Sequence, residues 1–166
     1  RILNTSVFVA ASQTLDVPVS CTERGRWAYN TKKFKDSSVL SSPSVRACVS
    51  SSVAYSLGSQ SKHASDQSKV WHNIEAELDY TDTHSGTSAL KDAFEKNANE
   101  IESFQKALRP QPGQTGVLVM IGGKIRAMEF FSTSAAYAKF HDKIIGSHAL
   151  DMIGGGSRPS SEGSSH

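Results

Sequence analysis

The stretch GVLVMIGGKIRAMEFF, residues 116–131, leaves the chain little choice of local structure. A two-residue turn between antiparallel strands needs positive φ at its central positions, and Gly122 and Gly123 supply it without steric cost. A β-hairpin is therefore expected here. Its first strand is apolar on both faces, which implies a central position covered by helices.

A second hairpin is expected at the N-terminus. ILNTSVFVAA is followed by the polar turn Ser12, Gln13 and Thr14, then by LDVPVSC, where Leu15, Val17, Val19 and Cys21 alternate onto one face. Pro18 cannot donate to a ladder, which places its strand at an edge. Residues 25 to 42 read as a polar loop.

Helical periodicity fills the rest. Pro43 opens PSVRACVSSSVAYSLG, with Val45, Cys48, Val49, Val53 and Leu57 on one side and Gly58 as the stop. Its serines make it a poor helix in isolation, so packing must hold it. Ser65 is the expected N-cap of a helix whose stripe is Val70, Trp71, Ile74 and Leu78. Leu90, Phe94, Asn97, Ile101, Phe104 and Leu108 recur at three and four, predicting one helix of about twenty residues and 30 Å. Ser132 is the expected cap of a last helix, with Tyr137, Phe140 and Ile144 facing inward. The fold class is α+β: an antiparallel sheet with two hairpins and about four helices packed on it. Residues 1–153 form one domain, and GGGSRPSSEGSSH, residues 154–166, has the composition of a flexible tail. Arg1 already reads as part of a strand, so an upstream segment is expected.

A net charge of +2 argues against a nucleic-acid partner, which calls for a dense basic patch. Lys32, Lys33 and Lys35 read as a solvated loop. No apolar run reaches the roughly 18 to 20 residues of a membrane span and no signal peptide is visible, so a soluble, cytoplasmic protein is expected. Cys21 and Cys48 form no CxxC and no metal spacing; free thiols are expected, a disulfide being open only in an oxidising compartment.

No complete catalytic signature is present. His141 and His148 lie two helical turns apart, about 10 Å, too far to share a metal, and His148 with Asp151 is half a site. No metal site is expected. No GxSxG or phosphate-binding glycine pattern occurs, and HSGTS, residues 84–88, reads as helix capping by Ser85 or Thr87.

The most chemically loaded stretch is SCTERGRWAYNTKKF, residues 20–34. If Leu15–Cys21 is a strand, Glu23, Arg24 and Arg26 emerge at its end. Arginine forks bind phosphate or carboxylate bidentately, Glu23 could orient a guanidinium or serve as an acid or base, and Trp27 could stack on a base. Asp66 and Gln67, at a helix N-terminus, could join them. The alternative is a structural Glu/Arg pair beside a buried tryptophan. Hydrolysis would need a second acid or a metal, with Asp66, Glu129 or a group in the expected upstream segment as the candidates.

RILNTSVFVAASQTLDVPVSCTERGRW, ASDQSKVW, TSALKDAFE, PGQTGVLVMIGGKI and SHALD occur in an order that resembles the ARPP-1 domain, the ADP-ribosylglycohydrolase and rhodanese-phosphatase associated protein domain. The resemblance spans roughly residues 1 to 152. It implies an association with ADP-ribose and NAD metabolism, and contact between Glu23, Arg24, Arg26 and Trp27 and a nucleotide-like small molecule, with Asp66 and Gln67 nearby. The rival expectation is a non-catalytic module that docks a protein partner.

Overall fold

The computed structural model of the chain describes residues 2–4, 8–27, 38–58 and 63–154, the side chains of Arg26 and Trp27 excepted. The elements are β1 (Ile2–Leu3), β2 (Val19–Ser20), a 3₁₀ turn (Arg24–Trp27), α1 (Pro43–Ser56), α2 (Gln67–Tyr80), α3 (Leu90–Lys96), α4 (Ala98–Ala107), β3 (Gly116–Ile121), β4 (Lys124–Phe130) and α5 (Ser134–Ile153). The fold class is α+β. The two hairpins form separate two-stranded antiparallel sheets rather than one, and of the tail expected at 154–166 all but Gly154 lies outside the described residues.

The helices build the core against one another. Val45, Val49 and Val53 of α1 meet Val70, Ile74 and Leu78 of α2, and Leu90, Ala93, Phe94, Ile101, Ala149 and Leu150 close the cluster. On α1 to α4 these residues lie on the stripes that the periodicity assigns, with Leu57 and Leu108 left half-exposed at helix ends; on α5 Tyr137 and Ile144 are buried as expected, but Phe140, expected to face inward, is exposed.

The start of α1 is completed by another helix. Ser42 is its N-cap and Pro43 its first residue, yet Ser42 makes no side-chain cap. Its hydroxyl donates instead to Glu77 Oε2 of α2 at 2.9 Å, and Ser44 Oγ donates to the same oxygen at 3.1 Å. Ser42 and Glu77 are both fully buried. Serines at the start of α1 thus tie it to α2, the tertiary packing that a helix weakened by Ser50, Ser51 and Ser52 needs.

The helix over residues 90–108 bends at Asn97, whose φ of −97° and ψ of 17° separate α3 from α4. The main-chain ladder continues, from Asn97 N to Ala93 O and from Ile101 N to Asn97 O. Asn97 Nδ2 also donates to Ala93 O at 2.8 Å, a side-chain bond back onto the preceding turn that competes with regular helix. Two caps differ from expectation by one residue. Asp66, not Ser65, caps α2 by accepting from Ser68 N and Lys69 N, and Thr133, not Ser132, caps α5 by accepting from Ala136 N.

Gly122 and Gly123 have φ of 58° and 74° and join β3 to β4 as the glycine pair dictates. The central, helix-covered position expected for β3 is not what is seen. Its inner face lies near α5, while Leu118 and Met120 are more than half exposed. At the N-terminus, among the described residues, the strands pair through Ile2 with Ser20 and Leu3 with Val19. Leu15 and Val19 are exposed and Ser20 is fully buried, opposite to the expected alternation. The reason is polar: Ser20 Oγ bonds both Asn4 Oδ1 and Ser65 Oγ, and Asn4 Nδ2 donates to the His63 carbonyl. Satisfying this buried network outweighs burial of the alternating apolar residues.

Candidate functional site

The stretch after β2 is held by its backbone. Leu90 N donates to Thr22 O, Gly25 N donates to Thr87 O at 2.7 Å, and Glu23 bridges antiparallel to Ala89. Gly25 packs so closely that an added Cβ would stand 2.8 Å from Thr87 Cα. The glycine between two arginines is there for that approach. Gly25→Ala is expected to cost about 2 kcal/mol, seen as a lower denaturation midpoint with an unchanged slope; full stability would show that this approach is dispensable.

Gln67 binds the same stretch through its side chain. Its Oε1 accepts from Cys21 N and its Nε2 donates to Cys21 O, both at 2.8 Å, as a neighbouring strand would. Asp66 is the α2 cap. Arg24 Nη1 reaches Glu75 Oε1 at 2.6 Å in an exposed ion pair, with the guanidinium 5.7 Å from the Trp71 ring centre. Glu23 adds to the field that raises the Lys91 ammonium pKa, after the larger contribution of Glu95. Arg26 and Trp27 complete the 3₁₀ turn; their side chains and Lys32, Lys33 and Lys35 lie outside the described residues. Gln67 is thus brought against Cys21, while Arg24 lies along α2 at Glu75 and Trp71.

A different set of groups converges elsewhere. Arg46 of α1 donates from Nη1 to Ser41 O at 2.8 Å and to Ser147 Oγ at 2.7 Å, and its Nη2 meets Glu129 Oε1 of β4. Ser147 Oγ also donates to Ser41 O at 3.1 Å. His148 Nε2 stands 3.4 Å from Glu129 Oε1, too long for a strong bond and close enough for electrostatic contact. His148 and the Arg46 guanidinium hold the Glu129 carboxyl below the usual carboxylate range, against the burial that raises it. Glu129 is therefore a standing counter-ion, poorly suited to donate a proton. Burial lowers the Arg46 pKa, opposed by Glu129 and Asp151.

Arg46 lies between this cluster and a cavity of about 870 Å³. Ile2, Leu3, Val49, Val53 and Leu57 give it apolar walls; Asn4, Ser41 and Arg46 are polar points in its lining. Three of the five guanidinium N–H groups are used by Ser41, Ser147 and Glu129.

Neither long-helix histidine is an exposed or helix-end residue. His141 is buried, its Nε2 donating to Leu108 O at 2.7 Å and its Nδ1 accepting from Tyr137 Oη at 2.9 Å. A carbonyl can only accept, which sets the tautomer. Ser85 Oγ accepts from Ala89 N at 2.9 Å, but Ala89 is the N-cap of α3 and no side chain caps that helix, so the capping expected of Ser85 or Thr87 is not what is seen. Both cysteines are free, and burial pushes the Cys48 thiol up, away from nucleophilic use. Among the described residues no group of three metal-ligating side chains is present and no helix is long and apolar enough to cross a membrane.

Arg46 gave little signal in the sequence, because it lies on a helix whose valine stripe reads as pure core. Glu129 stood out only as a possible second acid.

These features define an α+β domain with an arginine-lined apolar cavity. The chain belongs to the ARPP-1 family, described as the ARG and Rhodanese-Phosphatase-superfamily-associated Protein domain, whose family model matches residues 1–166. No curated protein and no solved structure gives a match.

Proposed function

We propose that this domain binds ADP-ribose or a related phosphorylated nucleotide metabolite in the cavity beside Arg46. The observation that carries the reading is the cavity itself. Its volume of about 870 Å³ suits a ligand of that size, and its lining sets apolar walls for a base and sugar beside a cation for phosphate. Among the described residues three of the five Arg46 N–H groups are engaged, and a guanidinium in the lining is the side chain that recognises phosphate bidentately. The family description, with its association to ARG, supports the same ligand class. Glu129, held ionised as a counter-ion, favours binding over turnover. Glu23, Arg24, Arg26 and Trp27, with Asp66 and Gln67, are the competing phosphate site.

Calorimetric titration with ADP-ribose, NAD, AMP and inorganic phosphate decides between them. Arg46→Lys, which keeps the charge and loses the fork, should weaken ADP-ribose about tenfold, or about 1.4 kcal/mol. Ala54→Trp adds bulk at an exposed α1 position in the cavity lining and should abolish binding with the fold intact. Arg24→Ala should bind as the parent does. Loss of binding in Arg24→Ala with Ala54→Trp unaffected would move the ligand to residues 23–27, and silence of all four ligands on the parent protein would sink the reading.

A further inference from the structure

Among the described residues the largest run of exposed apolar side chains lies on the outer face of the β3–β4 ribbon. In the observed register Leu118 pairs with Met128, Met120 with Ile125 and Gly116 with Phe130. Directly paired residues share a face. Leu118, Met120, Ile125, Met128 and Phe130 are 52%, 56%, 66%, 74% and 72% exposed, while Val117, Val119, Ile121, Ala127 and Glu129 on the other face are all partly covered. The paired residues of the outer set carry no charge, and Arg126 stands beside them as the exposed extra residue of β4.

We infer that this face is the interface of a symmetric dimer, in which a second copy of the chain lays its own ribbon over it. Three observations point to a second copy. The five side chains present roughly 600 Å², the top of the range that a monomer leaves as one patch; two such faces bury roughly 1,200 Å² together, the lower bound of a stable interface. The outer pairs are also uncharged, with nothing to select an oppositely charged partner, whereas a twofold axis lets the same apolar patch meet itself. Finally, a two-stranded ribbon is marginal until its apolar face is covered, and two ribbons packed about 10 Å apart cover each other.

Pairing is by the face rather than the edge. Register shifts between Val119 and Met120, with Arg126 as the extra residue on β4, and Lys124 and Arg126 are exposed. A bulge and charges at a strand edge act against edge-to-edge addition.

Sedimentation equilibrium over a concentration series tests this directly. The parent chain should dimerise in the micromolar range, and Met128→Lys, at the middle of the face, should weaken the dimer at least about 100-fold with an unchanged far-ultraviolet circular dichroism spectrum. Ile125→Lys, nearer the turn, is the second variant and should act in the same direction, so misfolding of one variant does not remove the test. A parent chain that stays monomeric at several hundred micromolar overturns the inference, and so does a dimer that both lysine variants leave intact.

Discussion

Glu77→Ala should destabilise the domain by about 3 kcal/mol, the largest single effect expected of any side chain described. The change opens a cavity at a fully buried position and strips the acceptor from two serine hydroxyls. Losing a buried acceptor and leaving donors stranded accounts for about 1 to 3 kcal/mol, and the void adds to it. Glu77→Gln keeps a carbonyl oxygen for Ser42 and Ser44 and should cost about 1 kcal/mol. Chemical denaturation of the two variants gives the comparison, and equal losses would mean that the acceptor role is not what Glu77 supplies.

Arg46→Ala should cost about 2 kcal/mol near neutral pH, because it removes three hydrogen bonds and leaves Glu129 without its closest cation. The penalty should also depend on pH, with a sign that follows from Glu129. Its folded pKa is depressed, so in the parent protein it contributes stability that is fully present above the ordinary carboxylate range and is lost as pH falls through its folded value. Removing Arg46 leaves burial less opposed and raises that folded value. The gap between parent and variant should therefore be widest at neutral pH and narrow in acid as pH falls through the depressed folded value of Glu129, where the carboxyl protonates in both. Melting curves at pH 7 and in acid read this out; a gap that widens in acid would place the dominant interaction of Arg46 elsewhere.

Local signals in the chain were legible where short-range sterics decide the outcome. Gly122 and Gly123 admit one kind of turn, and the valines of α1 mark the face that is buried. Misreadings fall where distant polar groups compete with local preference. Ser65 has the chemistry of a cap, but its hydroxyl is taken by Ser20, so Asp66 does the capping. Asn97 continues a helical period in the sequence, and only its bond back to Ala93 reveals the bend. The Arg46 cluster joins residues 46, 129, 147 and 148, and nothing local to any of them announces the others. Ser20 to Phe34 drew attention because its polar groups are contiguous, and of these the side chains of Arg26 and Trp27 and residues 28–34 lie outside the described residues.

Gln67 makes the loop after β2 dependent on the chemical identity of one atom. Its side-chain amide matches the donor and acceptor of Cys21 one for one, and hydrolytic ageing of that amide to glutamate would put an oxygen where the nitrogen donates. One of the two bonds would become a contact between two acceptors, with no change in side-chain length or shape. The loop carrying Glu23 and Arg24 thus rests on a covalent bond that water can cleave, and its hold on α2 would loosen with the age of the molecule as well as with mutation.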